Sequence, residues 1–290
     1  MRKLVVTADD AGLHPGMTLG AVTAFDEGIV TAVSLAATGE DFAAAVAALR
    51  ARPGLDAGVH LTLVGERPLS PAREVPSLVG GDGAFLPGFP AFTARHALGR
   101  IDPAQVRLEL RRQIERVRDA GLRVVHANSH QHLHALPAVF EVVLELAEEH
   151  RIPFVRIPAA GGVLRRPSFR AAQLAVLHGL GRRARRRLQA RRGTAVSGAL
   201  AVSGVPTVAL LDAGHLTRER LLDSLREAGR GAGEVAELVC HPGLGGRALA
   251  TRYDWGYDWD EETAALCAPG LREVLRDRGF ELTSFSGLSS

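Results

Sequence analysis

Short β-branched runs alternate along this chain with longer stretches of helical periodicity, and that alternation constrains the fold more than any other feature. KLVVTADD reads as a buried first strand, and HPGMTLGAVTAFDEGI follows with apolar residues near helical spacing, Pro15 early and Gly28 as its stop. TAVSLAA, DAGVHLTL, RVVHANSH, PFVRIP, TVALLDAG, VAELVCHPG and FELTSF read as further strands. Helical patterns over DFAAAVAALRARPG, PAQVRLELRRQIERVRDAGL, LPAVFEVVLELAEEHRI, 217–229 and 261–278 separate them. Strands alternating with helices specify an α/β chain with a parallel sheet and helical crossovers. An open doubly wound sheet and a closed barrel both fit this rhythm. Residues 65–100 are rich in Gly and Pro and are expected to form a long irregular loop. The rhythm breaks from Ala159 to about Pro206, so residues 1–290 are expected to form a single domain with an elaborated, arginine-rich insertion at 159–206.

At 290 residues and 46% apolar, the chain can bury a full core. Its two cysteines, Cys240 and Cys267, make neither a disulfide framework nor a thiolate zinc cluster, which points to a reducing compartment. The apolar run after Met1-Arg2-Lys3 is broken by Asp9 and Asp10, too soon for a signal peptide or a membrane span. A soluble cytoplasmic protein is the expectation, and the apolar surplus permits a homodimer.

Polar clusters recur where predicted strands end: Asp9-Asp10, His60, the run HANSHQHLH at 126–134, and His241. In parallel α/β folds that edge is where sites assemble. One carboxylate and two imidazoles make an open site for a divalent cation. Asp10, His60 and one histidine of the run would supply it. An extended chain rises about 3.3 Å per residue, so alternate histidines stand about 7 Å apart and all four cannot reach one ion. His130, the first past the strand, is the best placed. His132 and His134 lie farther along, available to substrate or to supporting roles, and His126 lies back in the strand as a structural residue. Taken singly, His60 reads equally as a core residue, the aspartate pair as a helix cap, and His-Pro-Gly as a turn. Their shared placement favours a site.

The middle segment carries GRRARRRLQARR at 181–192, with Arg165, Arg166 and Arg170 before it. A basic helix of this kind suits an anionic membrane or a phosphorylated substrate, or is a solvated face. No aromatic residue interleaves the arginines of 181–192, so no nucleic-acid partner is expected. RYDWGYDWDEE offers Tyr253, Trp255, Tyr257 and Trp259, either as sugar-stacking rings or as packing anchors of a loop.

TADDAGL with HPG following, GIVTAVSL, GVHLTLVGERPL, PSLVGGDGAFL, HANSHQHLHALPAVFEVVLELA and CHPG occur in this order. Together they resemble the YdjC-like carbohydrate deacetylases, a family that includes chitooligosaccharide deacetylases and relatives tied to hopanoid lipid biosynthesis. The likeness is dense from about Lys3 to Pro158 and returns at 236–243. It implies a (β/α) barrel-like fold and one divalent metal ion, Mg or Zn, held by Asp10, His60 and His130. It further implies Asp9 as general base, His241 as general acid and an N-acetylated sugar as substrate, either a chitooligosaccharide or a lipid-linked GlcNAc. By ligand softness the donor set suits zinc, cobalt or nickel better than magnesium. The family usually has Phe where this chain has Ala11, which would leave a smaller wall beside the site. It often has Asp where this chain has Asn128, a residue that can orient a histidine but not serve as its charge partner. Two other readings fit the residues: a metal-dependent phosphoesterase, which would ask for more metal ligands, and a non-catalytic sugar- or nucleic-acid-binding protein.

Overall fold

A computed structural model of the chain describes residues 1–158, 169–194, 203–230 and 234–288. Eight parallel strands make one sheet: β1 (Arg2–Ala11), β2 (Ala32–Leu35), β3 (Asp56–Leu61), β4 (Val124–Ser129), β5 (Phe154–Ile157), β6 (Ser203–Val208), β7 (Val235–Cys240) and β8 (Phe280–Leu282). The strand order is β2-β3-β4-β5-β6-β7-β1-β8, and β1 also pairs with β2. That extra pairing turns the sheet into a nearly closed barrel and settles the choice the periodicity left open. β1 is long enough to serve three neighbours. β7 runs beside Lys3–Ala8, β8 beside Arg2–Leu4, and β2 beside Thr7–Ala11. The short β8 thus fills the lower part of the gap between β1 and β2.

The helices surround this sheet: α1 (Pro15–Asp26), α2 (Phe42–Arg50), α3 (Phe89–Ala97), α4 (Pro103–Asp119), α5 (Pro137–Glu149), α6 (Phe169–Thr194), α7 (Arg218–Arg230), α8 (Gly246–Arg252), α9 (Trp259–Leu266), α10 (Leu271–Asp277) and α11 (Phe285–Leu288). Local chemistry starts them. His14 caps α1 by accepting from Gly16 N, with Pro15 in the first turn. Asp102 caps α4 through Ala104 N at 2.8 Å. Val106, Leu110, Ile114 and Val117 give α4 a buried stripe at helical spacing. Two polar residues on that helix, Glu109 and Gln113, are also fully buried. Gln113 pairs with the backbone of Thr62, and Glu109 accepts from Leu69 N and Ser70 N, so α4 fixes the loop leaving β3.

Alternate strand residues face the barrel interior, and the interior is divided. Val5, Ala32, Phe154, Val205 and Phe285 form an apolar plug at the lower end. Above it the interior is polar, and His126 bridges the two zones. Its ring stacks on Phe285 at 4.3 Å and reaches Ser34 Oγ at 3.0 Å. Gly58 leaves room for that ring, because a Cβ there would come within 2.3 Å of it.

The structure differs from the expected elements in two places. Residues 65–100 are not wholly irregular: they contain a 3-10 turn (Ala72–Glu74) and α3, which buries Phe92 completely. The many Gly and Pro residues around it masked the helical pattern. The extended spacing expected across the histidine run holds only to Ser129. His130–Ala135 is a 3-10 turn, with Gln131 and His132 at φ 52° and 54°. Their left-handed backbone reorients each later histidine.

The arginine run at 181–192 lies on α6, which connects β5 to β6. Gly181 lets that helix approach β5, since a Cβ would stand 1.8 Å from Pro158 O. Ala184 and Leu188 are buried on the same face, while Arg182, Arg183, Arg185, Arg186 and Arg187 are exposed. Arg187 pairs with Glu141 of α5. Residues 159–168, with Arg165 and Arg166, and 195–202 lie outside the described residues. Among the described residues, no helix is long and apolar enough to cross a membrane.

Candidate active site

Asp9 and Asp10 sit where the β1–β2 register shifts, between Ala8 and Ala11. The irregularity sends the two carboxylates to different tasks. Asp10 has φ 66°, a left-handed conformation rare for a residue with a side chain. Its Oδ1 lies 3.1 Å from His60 Nε2 and 3.0 Å from His130 Nδ1. One ligand atom from each of these three residues lies within 4.8 Å of the others, and this is the one such group among the described residues. The donor set suits a divalent cation in two further respects. His60 Nε2 is buried and makes no well-aligned hydrogen bond, which leaves it available as a ligand atom. Its Nδ1 is 2.7 Å from Asn128 Oδ1, which can only accept. Nδ1 therefore carries a proton, and Nε2 is the ring nitrogen turned toward the group.

Asp9 points instead into a buried ionic cluster. Its Oδ1 accepts from Asn128 Nδ2 and Arg156 Nη2, each at 2.9 Å, and its Oδ2 accepts from Arg156 Nη1. Arg156 also donates to Glu237 Oε1 from Nε at 3.0 Å and from Nη2 at 2.7 Å. Burial alone would raise the Asp9 carboxyl, but Arg156, His60 and His241 together outweigh it and hold Asp9 well below the usual carboxylate range. Glu237 meets the same guanidinium yet goes the other way. Burial pushes it up, Arg156 offsets only part of that, and the charge on Asp9 adds to the rise. One guanidinium thus outweighs burial at Asp9 and offsets only part of it at Glu237.

His241 stands at the end of β7. Its backbone N–H donates to Glu262 Oε1 at 2.5 Å, and its Nδ1 lies 3.8 Å from the same oxygen. Glu262, on α9, is fully buried. Burial would lower the His241 pKa, but Glu262, Asp10 and Asp9 raise it above its ordinary value.

A cavity of about 420 Å³ brings these groups together, lined by Asp9, Asp10, His60, His130, His132 and His241. Phe89, Pro90, Leu177 and Leu210 form an apolar wall, and Trp255 and Tyr257 complete it. Asn128 and His134 are fully buried and do not line it. Asn128 bridges His60, Asp9 and Ser34. His134 accepts from Ser129 Oγ and donates to Arg156 O, so it braces the strand that carries the guanidinium. Burial pushes the His134 pKa down to about 3, and that of His132 falls well below its usual value for the same first reason. Ala11 is buried against the helices and is not part of the cavity wall.

Arg156, Glu237 and Glu262 were not singled out from the sequence. For the first two a signal existed: each is a charge inside an otherwise apolar strand, PFVRIP and VAELVC. Such a residue must find a buried partner. Glu262 lies in an acidic stretch that reads as a solvated helix start.

The chain matches the family described as YdjC-like protein over residues 3–277. A carbohydrate deacetylase of Brevibacillus brevis is 42% identical over 156 residues, covering 54% of this chain and 59% of that protein. Carbohydrate deacetylases of Mus musculus and Homo sapiens are each 33% identical over 297 residues. Those matches cover 99% of this chain and 95% and 91% of the mouse and human proteins. A crystal structure from Enterococcus faecalis V583, ascribed to cellobiose-phosphate cleavage, superposes with a TM-score of 0.76 at 25% identity, covering 99% of this chain and 98% of that one.

Proposed function

The chain belongs to the YdjC-like protein family, and from that premise we propose that it is a metal-dependent deacetylase of N-acetylated amino sugars. The observation that carries this reading is the placing of Asp9 and His241 in one cavity with the Asp10, His60 and His130 group. That arrangement supplies a base, an acid and a cation site around a single volume. It also weighs against a non-catalytic binding protein. A phosphoesterase with a second ion finds no second group of ligands among the described residues.

A divalent cation held by Asp10, His60 and His130 would polarise the acetyl carbonyl and acidify the attacking water. Asp9 takes the proton of that water. Its Oδ1 already accepts from two donors and its Oδ2 from one, so Oδ2 retains the free lone pair for that proton. Arg156 keeps Asp9 ionised beforehand and fixes its plane. His241 has Nδ1 turned to Glu262, which leaves Nε2 to protonate the departing sugar amine. The products are acetate and a free amino sugar.

A chitooligosaccharide and a lipid-linked GlcNAc both suit the apolar and aromatic cavity wall. The lipid-linked alternative carries a second proposal, contact of the exposed arginines of α6 with an anionic membrane. Sedimentation with anionic and neutral liposomes tests it, and absence of binding at low salt would rule it out. The main test is acetate release from a panel of N-acetylated sugars and a lipid-linked GlcNAc, with elemental analysis of the protein. Metal-loaded protein that releases no acetate from any of them would overturn the reading.

A further inference from the structure

From the end of α8 to the first residue of α9, an aromatic ring stands at every second position: Tyr253, Trp255, Tyr257 and Trp259. The structure divides them into two pairs. Tyr253 and Trp259 are 5% and 1% exposed and pack in one cluster with Leu13, Met17 and Leu249. The Tyr253 hydroxyl also reaches Leu13 O and Glu66 Oε1, both at 3.2 Å. These two rings are posts driven into the core.

Trp255 and Tyr257, the intervening pair, are half-buried and line the catalytic cavity. The Trp255 ring lies 5.0 Å from that of His130, tilted by 39°. The Tyr257 ring lies 5.3 Å from that of His241. One ring thus borders the cation site and the other borders the acid. Their own centroids are 5.6 Å apart and their planes meet at 67°, so they form two walls of a corner. Both are braced before any ligand arrives. Trp255 rests on Tyr253 at 4.5 Å, and Tyr257 lies over Gly214, where a Cβ would fall 2.1 Å from the ring. Gly214 also has φ 76° and accepts from Asp258 N, so it anchors the loop while leaving room for the ring.

A rigid, half-exposed indole beside a polar reaction centre is suited to a flat ligand with one apolar face. A pyranose has such a face: its axial C–H bonds carry partial positive charge that meets the negative face of the indole. Little conformational entropy is lost on binding, because the indole is already held. Phe89, Pro90, Leu177 and Leu210 on the other wall offer apolar area but no comparable braced pair.

Building on the deacetylase reading, we propose that Trp255 is the stacking platform for the pyranose that carries the acetamido group, with Tyr257 as the adjoining wall. The segment 253–259 then selects a cyclic amino sugar and delivers its amide between His130 and His241.

The two tryptophans make this measurable, since Trp259 is buried and Trp255 faces the cavity. The probe is N,N′-diacetylchitobiose, titrated into the full chain while tryptophan emission is followed. Emission should change in the wild type and in Trp259→Phe, and the change should vanish in Trp255→Phe. Trp255→Ala should raise KM for the probe about tenfold, with a smaller fall in kcat, and Trp255→Phe should restore most of the loss. An emission change that persists in Trp255→Phe overturns the platform, as does a Trp255→Ala protein that binds the probe with wild-type affinity by calorimetry. Either result alongside continued acetate release leaves the deacetylase standing. Binding through Trp255 without acetate release from the panel keeps the platform and removes the deacetylase.

Discussion

His60 donates from Nδ1 to Asn128 Oδ1 at 2.7 Å, and the amide nitrogen of that same Asn128 donates to Asp9. One neutral side chain thereby sets the tautomer of a proposed metal ligand and the position of the proposed base. A carboxylate could do the first but not the second, because it has no proton to give Asp9.

Asn128 variants should separate these two roles. Asn128→Ala leaves the His60 proton without its acceptor, and metal affinity measured by calorimetry should fall about 10–100-fold. Asn128→Asp should recover the affinity, since it again accepts from His60. It should also lower Tm, because it sets a like charge 2.9 Å from Asp9 in place of a hydrogen bond.

The base and the ligands should also part company. Asp9→Asn should bind metal as the wild type does while kcat falls about 10²–10⁴-fold. His60→Ala and His130→Ala should each lose the metal by elemental analysis. A His60→Ala protein with unchanged metal content and affinity would mean that the ligand set is wrong.

Arg156 should matter to folding as much as to turnover. Arg156→Met strands two buried carboxylates and should cost about 3–5 kcal/mol at neutral pH in a urea titration. The sign of its pH dependence follows from Asp9. A carboxylate whose folded pKa is depressed stabilises the protein above the unfolded value and loses that contribution as pH falls through the folded one. The stability gap between wild type and Arg156→Met should therefore narrow below about pH 4. Glu237→Gln should cost less, since the Glu237 pKa is already raised and an amide oxygen can still accept from Arg156.

His241 has a raised pKa, so it keeps its proton to higher pH than a free imidazole would. Activity should extend to correspondingly alkaline pH before it falls. Glu262→Gln removes the charge that helps to hold the proton, and the alkaline limb of kcat/KM should move to lower pH. A profile that does not move would mean that Glu262 serves only the backbone of the loop.

The place of the candidate site was more legible in the sequence than the contacts that hold it. Asp9, Asp10, His60, His130 and His241 were legible as candidates because each stands at the C-terminal end of a predicted strand, and parallel strands gather those ends on one face. Barrel closure was not legible from periodicity, which is identical in open and closed sheets; it depends on β1 being shared between β2 and β7. The turn at Gln131 and His132 was hidden because neither residue is glycine, the usual sign of a left-handed backbone. Arg156 and Glu237 were not legible because the contacts that explain them are distant in the chain: 81 positions separate Arg156 from Glu237 and 147 separate it from Asp9. The aromatic loop was visible, but its division into posts and platform depends on which rings the core swallows.

β1 has a further consequence, for the order of assembly. Its partners β7 and β8 come from the far end of the chain, with Lys3 opposite Val235 and Arg2 opposite Phe280. Contacts so distant in sequence close slowly, since the loop entropy is spent before the pairing repays it. A ribosome emits Asp9 and Asp10 first, yet the strand that brings His241 beside them emerges more than two hundred residues later. Throughout that interval the nascent chain has one flank of β1 unpaired, an edge open to the wrong neighbour. The candidate site is therefore also the seam of the barrel: Asp9 and His241 meet only when β1 and β7 pair.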